Sequence, residues 1–238
     1  MSFYNAQVAR HYADVMASLT AMVLASDQLC FLLYHHNSYA NSPALLRSKK
    51  PMVMRDFFLT RSNSFFPNPL SCVYVTSPLD TVVNCVAAFT IVKPVTFLLG
   101  WRHTIAVYIG AGFFSSFAYL FSVQMNKNKT VSEYDCACTS NGAFAGVATL
   151  SLFMKNAIVP FSKGLASYYF AIPYLLKCTY DEYIGPKFVE HRSKDTIELR
   201  NWGFVGGVFF TLVYSTLLLR SRTDFRMARK FYQNINHK

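Results

Sequence analysis

The feature that most constrains this chain is the grouping of its apolar residues. Long apolar runs, most of them near bilayer-crossing length, alternate with short connectors rich in Lys and Arg. A hydrocarbon core of about 30 Å needs about 20 apolar residues in a helix, and basic flanks meet the headgroups. Composition agrees: 53% of the 238 residues are hydrophobic, only 15% are charged, and mean hydropathy is +0.22. A soluble domain carries about 25% charged residues. The expected class is an all-α membrane protein with about six transmembrane helices.

The six expected spans are about 15–34, 79–99, 104–123, 141–161, 165–178 and 202–219. The first contains Asp27 and Gln28, and an acid in a span normally faces the bundle interior or a partner. The loop 37–78 interleaves Arg47, Lys49, Lys50, Arg55 and Arg61 with Phe57, Phe58, Phe65 and Phe66, as an amphipathic segment in the membrane interface would. Pro67 and Pro69 break any helix there, and Pro94 predicts a kink in the second span. Gly100 to His103 reads as a tight turn, with Trp101 and Arg102 as interface anchors. The chain thus divides into an N-terminal segment 1–14, a six-helix membrane domain 15–219 that includes the loop 37–78, and a basic tail 220–238.

Net charge is +11, from 23 basic and 12 acidic residues. In a soluble chain this balance would suggest nucleic acid. In a membrane chain basic residues meet anionic headgroups instead, so nucleic acid is set aside and Arg102, Arg220 and Arg222 become candidate contacts to anionic lipid. No metal-ligand cluster, phosphate loop, dinucleotide fingerprint or haem pair appears, so neither a metal nor a cofactor is expected. Cys136 and Cys138 stand in a C-x-C without partner ligands, and His35 and His36 read as membrane-edge residues. No secretory signal or transit peptide is read in the opening residues.

Small residues at four-residue spacing let helices approach closely in lipid. They recur in the third span (Gly110, Gly112, Ser115, Ser116), the fourth (Gly142, Gly146) and the sixth (Gly203, Gly206, Gly207). These three helices are expected to form the packed centre. Both sets of connectors are basic, so the positive-inside rule does not orient the chain; six spans would place both termini on one side.

Three of these features, in order, resemble the rhomboid family of six-helix intramembrane serine proteases. Gly100-Trp101-Arg102 followed by Tyr108-Ile109-Gly110-Ala111-Gly112 resembles that family's link into its third helix. Asn141-Gly142-Ala143-Phe144-Ala145-Gly146 matches the spacing of its fourth-helix motif, and Gly203 to Gly207 its sixth-helix glycine cluster. The resemblance covers about residues 55–219 and implies a six-helix bundle in which a serine nucleophile on the fourth helix meets a histidine on the sixth.

The departures remove that chemistry. Asn141 stands where the family has its serine, and Asp80 stands where it has the histidine of His-x-x-x-Asn, although Asn84 is kept. The sixth span has no histidine; Asn201 or Gly203 takes that place. Serine catalysis needs a hydroxyl and a base within hydrogen-bond reach, and an Asn amide is neither. Ser140 lies about 100° around a helix from Asn141 and suits a helix cap. A substitute pair of Ser140 and His191 stays open. The degenerate site of Asn141, Gly142, Asp80, Asn84 and Asn201 is expected either to hydrogen-bond within itself or to form a pocket for lipid or peptide.

Three functions follow in order. The first is a non-catalytic rhomboid-like protein serving as an accessory subunit of a larger membrane complex. Its surroundings would be the bilayer, anionic lipid and other membrane subunits, with the mitochondrial inner membrane favoured and the endoplasmic reticulum as alternative. The second is a client-binding or translocation component similar to the derlins, which are inactive rhomboid relatives. The third is an active intramembrane protease.

Overall fold

A computed structural model describes residues 6–41, 60–61, 66–73, 78–125, 136–137, 139–154, 157–159, 164–184, 199–200 and 203–219. The first helix, α1 (Ala6–Asn41, 36 residues), begins well before the expected span, because its docking stripe starts with small residues rather than with the apolar run. Ala9, Ala13, Ala17 and Leu24 are buried. Alanines four apart lie on one helical face and let a neighbouring helix come close. The side chains of Asp27 and Gln28 lie outside the described residues.

The second rod is α2 (Pro78–Ala87), a π-turn (Ala88–Val92) and α3 (Lys93–Leu99). The kink expected at Pro94 takes the form of this π-turn. Proline has no N–H to offer the carbonyl four residues back, and the Lys93 N–H instead bonds the Ala88 carbonyl, five residues earlier. Gly100 then turns the chain with φ +89°, and α4 (Trp101–Met125) starts at once. Trp101, Arg102 and His103 therefore lie in the first turn of a helix rather than in the loop expected there.

The fourth expected span is shorter than its apolar run. Helix α5 (Ser140–Phe153) has 14 residues and a length of roughly 21 Å. Lys155 and Asn156 interrupt the run and Pro160 bars its continuation. The chain instead forms a β-bridge between Ile158 and Ala166, where the Ser167 N–H donates to the Ala157 carbonyl at 2.6 Å. Helix α6 (Tyr168–Thr179) runs on into a π-turn (Tyr180–Ile184), and α7 (Phe204–Tyr214) into another (Ser215–Leu219).

The fold is mostly helical, with one addition that the apolar pattern does not announce. Three two-residue strands, β1 (Thr60–Arg61), β2 (Cys136–Ala137) and β3 (Leu199–Arg200), pair in the order β1-β2-β3, antiparallel and then parallel. They tie three connectors together at one end of the bundle. Residues 42–59, 62–65 and 74–77 of the expected amphipathic loop and the whole basic tail lie outside the described residues.

Helix α5 is the axis of the molecule, with every residue from Ser140 to Ser151 buried. A helix enclosed on all sides is apolar all round. Helices α4, α5 and α7 pack mutually, α6 lies on α5, and α1 covers α2 and α3. Specific contacts fix the helix directions. Asp14 on α1 pairs with Lys93 on α3, while Cys85 on α2 reaches the Ala21 carbonyl, so α1 and α2 are antiparallel. The starts of α2, α5 and α7 and the end of α6 share one end of the bundle; the starts of α1 and α4 and the end of α7 share the other. Two helices, Leu79–Leu99 and Trp101–Met125, are long and apolar enough to cross a membrane; Phe204–Leu217 is apolar but shorter.

Candidate functional site

The polar residues singled out in α2 and α5 meet. Asp80 and Asn84 are four apart and share a face of α2, while Asn141 lies in the first turn of α5. The Asn84 Nδ2 donates to Asn141 Oδ1 at 3.1 Å. The Tyr174 hydroxyl, from α6, donates to Asn84 Oδ1 at 2.7 Å. Asn84 is fully buried and Asn141 is 4% exposed, so these bonds satisfy groups that have little access to water.

One helical turn nearer the end of the bundle, Asp80 pairs with Lys177 of α6, whose Nζ also reaches Asp181 at 2.6 Å. Tyr174 and Lys177 are three apart on α6, opposite Asn84 and Asp80, so the two helices are joined by two polar rungs in antiparallel register. Beside the rungs lies an apolar groove of about 330 Å³, lined by Val82, Val86, Phe170 and Pro173.

Chemically this cluster is an amide–amide–phenol chain next to an ion pair. The hydroxyl within this cluster, that of Tyr174, donates to the Asn84 amide oxygen. Ser140 is buried as the first residue of α5, and Thr139 rather than Ser140 takes the cap position, without a side-chain cap bond. Asn201 and His191 lie outside the described residues, as do Arg220 and Arg222.

The glycines sit where helices touch. Gly142 faces Ser115 and the Gly203 carbonyl, and Gly110 faces the ring of Phe210. Gly146 meets Ala111 and Thr211, Gly206 meets the Phe114 carbonyl, and Gly207 meets the Gly142 carbonyl. Gly203 adopts φ +107°, a left-handed conformation that side chains disfavour, and its carbonyl accepts the Ser115 hydroxyl at 2.5 Å. Arg102 is exposed with its guanidinium 5.5 Å from the Trp101 ring centre.

Other residues at this end carry no sequence motif. Ser71 Oγ lies 2.5 Å from Thr139 Oγ1 and 2.8 Å from Ser116 Oγ, and the Tyr108 hydroxyl donates to the Cys72 carbonyl at 2.9 Å. These bonds lock the turn Pro69–Val73 onto α4 and α5. Glu182, in the π-turn after α6 and outside the apolar spans, accepts the backbone N–H of Phe204 at 3.1 Å and of Gly203 at 3.5 Å. It thereby caps the start of α7 from a different helix.

Burial pushes the Glu182 carboxyl above its usual value, against the opposing pull of the two amides. The folded state therefore holds this proton more tightly than the unfolded chain does. The favourable contribution is complete below the unfolded value and is lost as pH rises through the raised folded value. Glu182→Gln is expected to match wild type most nearly in acid, where the carboxyl is neutral, and to gain stability relative to it as pH rises through the raised value. Thermal midpoints in detergent from pH 4 to 8 test this; a variant that loses stability relative to wild type as pH rises contradicts it.

No family model, no curated protein and no solved structure matches this chain.

Proposed function

We propose that this chain is a non-catalytic, rhomboid-like integral membrane protein that serves as a structural or accessory subunit of a larger membrane complex, with the mitochondrial inner membrane as its compartment. The observation that carries this reading is the Tyr174–Asn84–Asn141 chain. Asn141 stands where the rhomboid resemblance has its nucleophile, and both ends of the Asn84 amide beside it are used for internal hydrogen bonds. Such a cluster holds helices together and offers no activated hydroxyl.

The outer faces support the membrane part of the reading. Val86 and Phe89 on the second rod, Ile109, Phe117 and Phe121 on α4, and Phe209 on α7 all expose large apolar side chains. Contiguous apolar surface of this kind needs lipid or protein against it. A derlin-like client-binding role is the second reading. The groove between α2 and α6 favours it, because it opens beside the polar rungs and is apolar along its length.

Two experiments test the proposal. Purification of the full chain in mild detergent should bring fixed partners with it; a free monomer alone sinks the subunit reading. A fluorophosphonate probe should leave wild type and Asn141→Ser unlabelled, since a hydroxyl placed there still lacks its base. Labelling of the wild type at a serine would revive the protease.

A further inference from the structure

One stretch of the bundle leaves the helical pattern at membrane depth. Gly142 and Gly146 of α5 face Ser115 and Ala111 of α4, so the two helices are antiparallel and Phe153 falls level with Thr104. Trp101 and Tyr12, both exposed and with rings 6.3 Å apart, mark the membrane interface at this end. At 1.5 Å per residue, Phe153 lies roughly 5 Å inside that level. Tyr174 of α6 packs against Phe144 and bonds Asn84, which places the start of α6 at Tyr168 roughly 10 Å inside it. The described residues between these helices, 154, 157–159 and 164–167, are not helical and belong to that depth.

Non-helical backbone in the hydrocarbon region is tolerated where protein buries it or water lines it. Met154, Ala157, Val159, Ala166 and Ser167 are buried within the chain. Ile158 is only half-buried, and Leu165 is 40% exposed. The bridge between Ile158 and Ala166 is closed by the residues that flank them: the Val159 N–H donates to the Leu165 carbonyl at 2.9 Å, and the Ser167 N–H to the Ala157 carbonyl. In an antiparallel pair of this kind, the N–H and C=O of the residue between face away from the partner strand. Ile158 is that residue, and neither group bonds to a described residue. Across the bridge, the Ala166 carbonyl takes up the Tyr169 N–H at 3.2 Å, so Ile158 carries the open edge. Lipid tails offer such an edge neither donor nor acceptor, whereas an added strand supplies both.

We propose that the edge at Ile158 is where a neighbouring membrane subunit docks, by adding a short extended segment whose backbone pairs with the open N–H and C=O. This inference rests on the accessory-subunit reading given above and gives that contact a place. It sets the Ile158 patch apart from the apolar faces of α4 and α7, which hydrocarbon alone satisfies.

The test uses the full chain in its native membranes, solubilised in mild detergent together with its assembly. Ile158→Pro deletes the open N–H and breaks no hydrogen bond among the described residues. It should lower the share of the chain retained in the assembly about tenfold, the cost of leaving a partner group unpaired in an apolar interface. The thermal midpoint of the free chain should stay at its wild-type value, whereas Val159→Pro, which removes the bond to Leu165, should lower it. If Ile158→Pro fails to fold, Leu165→p-benzoylphenylalanine decides the matter: ultraviolet light should link it to one discrete subunit. Wild-type retention of a folded Ile158→Pro variant overturns the proposal. So do crosslinks to lipid only, or to a second copy of this chain. A wild type found only as a free monomer defeats the subunit reading itself, whereas an assembly that forms with no protein at this edge defeats only the docking contact.

Discussion

Gly207→Val is expected to leave little or no protein that elutes as one sharp species in detergent. The α-carbon of Gly207 stands against the backbone carbonyl of Gly142, and a Cβ placed there overlaps that oxygen. A flexible side chain could swing aside, but a carbonyl in the first turn of α5 cannot move without moving its helix. The same added carbon comes within 3.1 Å of the Ser115 hydroxyl on α4, so three helices would have to separate together. Overpacking a tight core costs about 1–3 kcal/mol, and displacing backbone belongs at or above the top of that range. Gly207→Ala should therefore cost about 3 kcal/mol, and valine more. Val213→Ala, on an exposed part of the same helix, should stay within about 0.5 kcal/mol. Thermal midpoints from fluorescence-detected size exclusion distinguish the cases. A Gly207→Ala midpoint equal to that of Val213→Ala would mean that α7 does not seat on α5 as described.

This contact shows why part of the architecture could be read from sequence. Residues without side chains cluster where backbones approach, so the spacing of Gly110, Gly142, Gly146, Gly203, Gly206 and Gly207 pointed to α4, α5 and α7, and these helices pack against one another. Helix ends were less legible. The apolar run of the fourth span continues beyond Lys155, but α5 stops at Phe153, because two polar residues and a later proline outweigh hydropathy. The start of α1 was also hidden, since Ala9 and Ala13 contribute little to an apolar average and yet form its docking stripe.

The site divides in the same way. Asn84 and Asn141 stood out as amides in apolar runs, and the structure joins them directly. Their partner Tyr174 did not, because a tyrosine in an aromatic-rich helix looks like ordinary core. Lys177 belongs to no motif, although one signal pointed to it: Asp80 near the end of an expected span calls for a cation at the same depth. Glu182 and the hydroxyl cluster of Ser71, Ser116 and Thr139 act through contacts between segments far apart in the chain, with no local pattern to announce them.

Lys177→Met is the second large effect, and it separates the two polar rungs. The Asp80 side chain is 10% and the Lys177 side chain 23% exposed, so the pair is largely withdrawn from water. Removing the cation leaves the Asp80 carboxylate with less compensation for its lost hydration. A fully buried pair broken in this way costs about 3–5 kcal/mol; the remaining exposure brings the expectation here to about 2–3 kcal/mol. Replacing both partners is milder, because the buried carboxylate is then gone and the one left without Lys177, that of Asp181, is 28% exposed. The double variant Asp80→Asn with Lys177→Met should recover most of the loss, and this recovery is the diagnostic result. Tyr174→Phe, which removes one hydroxyl from the neighbouring rung, should cost only about 1–2 kcal/mol. A double-mutant cycle on thermal midpoints measures the coupling. If the losses from Asp80→Asn and Lys177→Met simply add, the two side chains do not hold α2 to α6, and the joint must rest on the Asn84–Tyr174 hydrogen bond and on the packing of both helices against α5.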